Sequence, residues 1–259
     1  MIFFISDWGY KSYYVGVAKS VIYSISSESK VIDITHDIEP FDVEEASHVI
    51  ERVFDDLPRR SVLLCVVDPT VGTDRRPIIA NIDEKYCVVP DNGVLTRLIE
   101  LKSVKSAHLI ENPKYMYKYP PSSTFHGRDI FAPAAAYLDK GTTPDEFGRS
   151  VKDLKAIKIE GVFVDAGKVE SAVAYIDGFG NIETTIRLKD LQKAGISGNY
   201  MLVNGKRAIL ANNYSEGKHE LILAHADSSN YIEISSSAGR ASEILKLKKR
   251  DKIVLQNLD

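Results

Sequence analysis

The sequence has little cysteine, no excess of charge of either sign, and no apolar run of membrane-spanning length. Each shortage excludes something. Cys65 and Cys87 sit inside apolar runs ("LLCVV", "KYCVVP") with neither CxxC spacing nor a metal-type partner, so they read as buried free thiols. A formal net charge of −3 gives no electrostatic case for nucleic acid or an anionic membrane surface. The one basic cluster, "KLKKRDK" (Lys246 to Lys252), is short and contains an acid, as a solvated surface would. The opening "MIFFIS" is too short for a signal core and stops at Asp7. These features together predict a cytoplasmic protein with no membrane and no nucleic-acid partner. Internal repeats and low-complexity segments are also lacking.

What is present is a globular composition, 44% apolar over 259 residues. Short Val- and Ile-rich runs each end on a polar group: "MIFFIS" at Asp7, "KVIDIT" at His36 and Asp37, "SVLLCVV" at Asp68, "YCVV" at Pro90, Asp91 and Asn92. Nearly unbroken apolar runs of this length suit strands buried on both faces. Helical stretches lie between some of them: "YVGVAKSVIYSIS", "DVEEASHVIERVFDDL" with Asp42 as N-cap, and "NGVLTRLIELK". The alternation predicts an α/β N-terminal domain with a mostly parallel central sheet over 1–155, closed by a helix in "HGRDIFAPAAAYLDKG". A connection over 156–167 leads to alternating strand patterns in 168–259, among them "VESAVAYIDGFGN", "ETTIRL", "NYMLVNGKRAILANNY", "HELILAHADS" and "NYIEISSS". The Asn-Gly of "VNGKR" is a hairpin signal. A second, all-β, mostly antiparallel domain is expected there.

Ligands of open α/β sheets bind beyond the carboxyl ends of the strands, which is where Asp7, Asp37, Asp68 and Asp91 fall. In "VVDPTVGTDRRPIIA" a carboxylate and two guanidiniums share one short link. Asp68 facing Arg75 would stay ionised and could orient a water or an imidazole; it could equally be a loop salt bridge. His126, in "STFHGRDIF", is either a structural histidine or part of such a group. "DGFGNIE" lacks the third glycine and the following helix of a dinucleotide fingerprint, and reads as a turn between strands or a clamp on a flat heterocycle. His36 and Asp37 have no second histidine at a helical or hairpin offset, so no metal site is expected.

Seven segments in register carry a resemblance: "SDWGYKSYYVGVAKSVI", "DITHDIEPFDVEEASHVI", "VVDPTVGTDRRPI", "VPDNGVLT", "STFHGRDIFAPAAAYL", "IDGFGNIETTI" and "YIEI". The chain resembles the S-adenosyl-L-methionine hydroxide adenosyltransferase family, relatives of the fluorinating and chlorinating adenosyl enzymes. The resemblance implies a C-terminal β-barrel-like domain and a homotrimer whose sites lie between the first domain of one subunit and the second domain of the next. It implies hydrolysis of S-adenosylmethionine to adenosine and methionine with no cofactor, and a catalytic set of Asp68, Arg75 and His126. It places Asp7 on the ribose diol, Asp177 on the methionine ammonium, Asn181 on the adenine edge and Phe179 beside the adenine. Ser228 and Ser229 fall where relatives bind the methionine carboxylate, Ala238 where backbone meets adenine, and Trp8 and Phe125 beside the substrate.

Three positions depart from the family pattern: Trp8 in "DWG" for the usual "DFG", Ser12 for a second acid, and Thr70 for the glycine after "VDP". The rival outcomes are halide transfer to the same carbon and a non-catalytic adenosyl-ligand binder.

Overall fold

A computed structural model describes residues 1–212, 216 and 221–258. It divides into two units, residues 1–158 and 159–259. Parts of two expected strands, Asn213 with Tyr214 and His219 with Glu220, lie outside the described residues.

The first unit runs β1 (Ile2–Ser6), α1 (Tyr14–Ile25), β2 (Val31–Thr35), α2 (Val43–Phe54), β3 (Val62–Val66), β4 (Pro77–Ile82), β5 (Lys85–Pro90), α3 (Thr96–Leu101), β6 (Val104–Leu109) and α4 (Ala132–Asp139). Its six strands form one sheet in the order β2-β1-β3-β5-β4-β6. All five residues of β1 and of β3 are buried, as unbroken apolar runs require. Two cores cover the two faces. On one, Val15, Ala18 and Ile22 of α1 meet the alanines of α4 and Phe4. On the other, Ala46, Ile50 and Phe54 of α2 pack over Leu63, Cys65 and Leu98. Asp42 caps α2 by accepting from the Glu45 backbone N–H at 3.0 Å.

The sheet is mixed, and this corrects the expectation of a mostly parallel one. Strands β2, β1, β3 and β5 pair in parallel, but β4 runs antiparallel to both β5 and β6. The cause is local. Asp83 and Glu84 both take positive φ (46° and 61°), which closes a two-residue turn and folds β4 back onto β5 with Ile82 opposite Lys85. The expected helix from His126 is also subdivided: a π-helical turn over Gly127–Phe131 precedes α4.

The strand order places the site. The chain leaves β1 for β2 on one side, then returns across to β3 on the other. The order reverses at β1 and β3, so their carboxyl ends diverge into a crevice. Asp7 follows β1 there and Asp68 follows β3.

The second unit holds β7 (Phe163–Asp165), β8 (Lys168–Ile176), β9 (Ile182–Arg187), α5 (Leu188–Lys193), β10 (Tyr200–Val203), β11 (Lys206–Leu210), β12 (Leu223–Ala226), β13 (Tyr231–Ser235), α6 (Ala241–Leu245) and β14 (Lys252–Asn257). Seven strands close a barrel, β8-β9-β13-β12-β11-β10-β14 and back to β8, with β7 added along β8. All of its pairings are antiparallel except β11 with β12. Alternate residues such as Ile182, Ile186, Ile232, Ile234, Ile253 and Leu255 fill its interior. Asn204 and Gly205, both at positive φ, make the β10–β11 turn as the Asn-Gly signal predicts. The expected β-barrel-like domain is thus a closed barrel, and among the described residues two short helices, α5 and α6, accompany it.

Candidate active site

Asp68 is held where β3 leaves the sheet. The link after it folds tightly: Val71 N–H donates to Asp68 O (3.3 Å), and Thr73 donates to Thr70 O through N–H (3.2 Å) and Oγ1 (2.8 Å). These turns carry Arg75 back over Asp68. Its Nε donates to Asp68 Oδ1 at 3.2 Å and its Nη2 to Oδ2. Both side chains are nearly buried, with 3% of Arg75 and 6% of Asp68 exposed. Arg75 also lies over the Phe131 ring, 5.1 Å from its centroid. Gly72 brings a second loop to this one. It sits at φ +80°, and a Cβ there would stand 2.4 Å from Ser123 O.

That second loop delivers His126. Arg75 Nη2 lies 3.0 Å from His126 Nδ1. A guanidinium only donates, so Nδ1 accepts and the neutral ring carries its hydrogen on Nε2. Burial lowers the pKa of His126 below the ordinary imidazole value, and the Arg75 charge lowers it further; Asp68 and Asp129 oppose this.

Asp7 faces the same crevice. Its Oδ2 accepts from the Phe41 N–H at 2.9 Å. Its pKa is raised, mainly by burial and also by the Asp68 charge, against the pull of the Phe41 hydrogen bond. Asp7, Trp8, Asp68, Phe125 and His126 line one cavity of about 320 Å³, with Tyr14, Phe41, Val71 and Thr124 also on its wall. Phe41 holds φ +69° and is 69% exposed, a costly conformation for an aromatic residue. Neither Phe41 nor Tyr14 stood out in the sequence. Tyr14 reads as a helix start, and no residue pattern marks a phenylalanine for positive φ.

Two strand-end carboxylates are elsewhere. Asp91 accepts from Arg76 Nε (2.8 Å) and Lys155 N–H (2.8 Å), so the second guanidinium of the link fastens the 153–155 segment. Asp37 is not on the cavity wall; its N–H donates to Thr35 Oγ1 at 3.1 Å. Among the described residues, no group of three His, Cys, Asp or Glu is arranged to hold a metal ion.

In the second unit, Asp177, Phe179 and Asn181 share one turn. Asp177 Oδ1 accepts from the N–H groups of Phe179 (2.9 Å) and Asn181 (2.8 Å), and Oδ2 from Asn181 Nδ2 (3.0 Å). Three of about four acceptor sites on the carboxylate are thereby used. Phe179 is 81% exposed. Gly180, at φ +85°, lies against Arg240, whose Nη1 donates to Gly178 O at 2.9 Å. Ala238 is therefore on a segment beside this turn. Ser228 and Ser229 are not. They precede Tyr231, which pairs with Arg187, whereas Ile182, just after Asn181, pairs with Ile234. The serines occupy the opposite end of the β9–β13 pair.

The fold and cavity define a class: a two-domain protein, α/β sheet then β-barrel, with one guanidinium in contact with both a carboxylate and an imidazole at the switch point of the sheet. Family models for the SAM hydroxide adenosyltransferase N-terminal and C-terminal domains match residues 2–148 and 171–254. The chain belongs to that family. It is 33% identical over 253 residues to a Thermus thermophilus protein named (R)-S-adenosyl-L-methionine hydrolase, covering 95% of this chain and 96% of that one. It is 28% identical to a fluorinase from an Actinoplanes species, over 76% of this chain and 74% of that enzyme. A solved structure of a conserved protein from Thermotoga maritima superposes with a TM-score of 0.94 at 41% identity, covering 99% of this chain and 100% of that one.

Proposed function

We propose that this protein hydrolyses S-adenosyl-L-methionine to adenosine and L-methionine by in-line attack of water on C5′. The observation that carries the mechanism is the contact of Arg75 with both Asp68 and His126 on the cavity wall. The relatives named for this hydrolysis align over nearly the whole chain, and the halide-transferring relative aligns over less of it.

The sulfonium makes methionine a good leaving group, so the enzyme supplies a placed oxygen nucleophile. Fixing one water in line with the C5′–S bond removes several kcal/mol of entropic cost. Asp68 accepts a hydrogen bond from that water and takes its proton as attack proceeds. His126, whose Nδ1 is engaged by Arg75, directs Nε2–H at the water oxygen and orients it. Arg75 keeps the carboxylate aimed. The new C5′–O bond forms as the C5′–S bond breaks; its electron pair stays on sulfur as the neutral thioether of methionine, and one proton is released through Asp68 to solvent.

Asp7 accepts from the ribose hydroxyls. Phe179, Asn181 and the Ala238 backbone hold the adenine, and Asp177 offers its remaining acceptor site to the ammonium; Ser228 and Ser229, a strand length away at the other end of the β9–β13 pair, do not reach the carboxylate on the same carbon and take no part in this site. In this proposal the sites form in a homotrimer, first unit of one subunit against second unit of the next, in the cytoplasm. No described helix is long and apolar enough to cross a membrane.

The test is incubation of the purified protein with S-adenosylmethionine and separation of products. Adenosine and methionine are expected in equal amounts, with and without a chelator. Absence of both, or activity abolished by chelator and restored by a divalent ion, would refute this assignment as stated.

A further inference from the structure

Three rings on the cavity wall have no part in the reaction steps above. Trp8 and Phe125 meet edge to face with centroids 5.6 Å apart, Tyr14 and Phe125 at 5.1 Å, and Trp8 and Tyr14 at 6.2 Å. All three line the cavity that contains Asp7, Asp68 and His126. We propose that Trp8, Tyr14 and Phe125 form an aromatic box that binds the positively charged sulfonium of the substrate and discriminates against the uncharged thioether. This rests on the proposed hydrolysis of S-adenosylmethionine and names how the same site recognises the leaving group.

Chemistry restricts how a sulfonium can be recognised. It carries a full positive charge but no N–H or O–H, so hydrogen-bond acceptors cannot orient it by donation. Charge and the negative faces of aromatic rings remain, the means by which quaternary ammonium groups are held. Position agrees. Sulfur is bonded to the carbon under attack, so it lies one bond from the point served by Asp68 and His126. Charge agrees as well. The cavity wall carries two carboxylates, Asp7 and Asp68, and, among the described residues, no lysine or arginine; the nearly buried Arg75 reaches it only through its bonds to Asp68 and His126, and His126 is biased toward its neutral form. An excess of negative charge suits a cation.

The box is also rigid. Cη2 and Cζ2 of Trp8 lie 2.5 Å from where a Cβ on residue 127 would stand, so the indole occupies space that only glycine leaves open. Phe4 supports it from the core, edge to face at 5.7 Å. Trp8 replaces the phenylalanine of the usual opening, and an indole is the strongest of the ring faces for a cation.

The sign of the catalytic effect follows. Positive charge on sulfur falls to zero as the C5′–S bond breaks, so the rings stabilise the ground state more than the transition state. The box therefore lowers KM without raising kcat, and it loses its grip on the methionine product.

The experiment measures dissociation constants by calorimetry for three probes: S-adenosylhomocysteine (the thioether), the aza analogue of S-adenosylmethionine with a protonated N-methyl tertiary amine at the sulfur position, and adenosine. Turnover of S-adenosylmethionine is assayed separately, so failure of the hydrolase assignment registers there and not in the binding data. Wild type should prefer the cation over the thioether. Trp8→Leu and Tyr14→Leu should each cut that preference by roughly 2- to 30-fold, leave adenosine binding nearly unchanged and raise KM while kcat holds or rises. Tyr14→Phe should keep the preference, because the ring and not the hydroxyl acts. Tyr14 is 39% exposed, so its variants fold even if Trp8→Leu does not. No preference in wild type, or a preference that survives Tyr14→Leu and Trp8→Leu, would overturn the proposal. Equal weakening of all three probes would also overturn it, by assigning the rings to the nucleoside.

Discussion

Arg75 donates through Nη2 to Nδ1 of His126 across 3.0 Å. The contact requires a neutral imidazole, since a protonated Nδ1 would face a cation with nothing to accept.

The first prediction concerns pH. Burial lowers the His126 pKa, and Arg75 lowers it further. The neutral ring should persist below its ordinary value of about 6.5, and the acid limb of activity assigned to His126 should lie below that value. Arg75→Met removes one lowering cause and leaves Asp68 to raise the pKa against burial alone. An NMR titration should therefore show the His126 pKa moving up in Arg75→Met. A downward or absent shift would mean the contact does not govern the ring.

Asp68 and His126 differ in role, and their variants should differ accordingly. Asp68→Asn removes the proton acceptor and should lower kcat by about 100- to 10,000-fold with little change in substrate affinity. His126→Ala should also act on kcat, but less than Asp68→Asn, because orientation by a donor is lost and not the base. Wild-type turnover in both variants would make the pair structural.

Trp8 and Gly127 should be energetically coupled. Space, not backbone conformation, excludes a side chain at 127: the position starts a helical turn, and its Cβ would strike the indole. Gly127→Ala should cost about 1–3 kcal/mol of stability by overpacking, and Trp8→Leu in the same chain should recover part of that. A denaturant double-mutant cycle measures the coupling. Strict additivity would show that the ring and the glycine act independently.

The proposed trimer has its own test. Asp68 and Asn181 lie in different units. A mixture of Asp68→Asn and Asn181→Ala subunits, unfolded and refolded together, should regain activity that neither variant shows alone. A fully active monomer by light scattering would exclude shared sites.

The carboxyl-end cluster was legible because strand-terminal polar groups on buried apolar runs mark a site in any open α/β sheet. Asp7 and Asp68 followed from that pattern, and so did the alternation of the first unit. The β4–β5 turn was not legible, because Asp83 and Glu84 adopt positive φ without glycine or asparagine to signal it. Phe41 was hidden for the same reason. The tyrosine at the head of α1 looked like helix, and only the folded chain sets its ring against Phe125. In the second unit the Asn204–Gly205 turn was explicit. The separation of Ser228 and Ser229 from Asn181 was not, since it depends on the register of β13 against β9. The tautomer of His126 depends on a contact across 51 residues of sequence.

The central claim is attack of water, not halide, on C5′. A carboxylate beside the attacking position repels an anion, and the repulsion grows as the surroundings become less polar. Asp68 supplies that charge, whereas a water loses positive charge to it. The most direct measurement is mass spectrometry of the nucleoside formed from S-adenosylmethionine in oxygen-18 water containing molar chloride. Adenosine carrying one oxygen-18 at the 5′ position is expected as the sole nucleoside product. Unlabelled adenosine, or 5′-chloro-5′-deoxyadenosine as the main product, would contradict water attack at C5′.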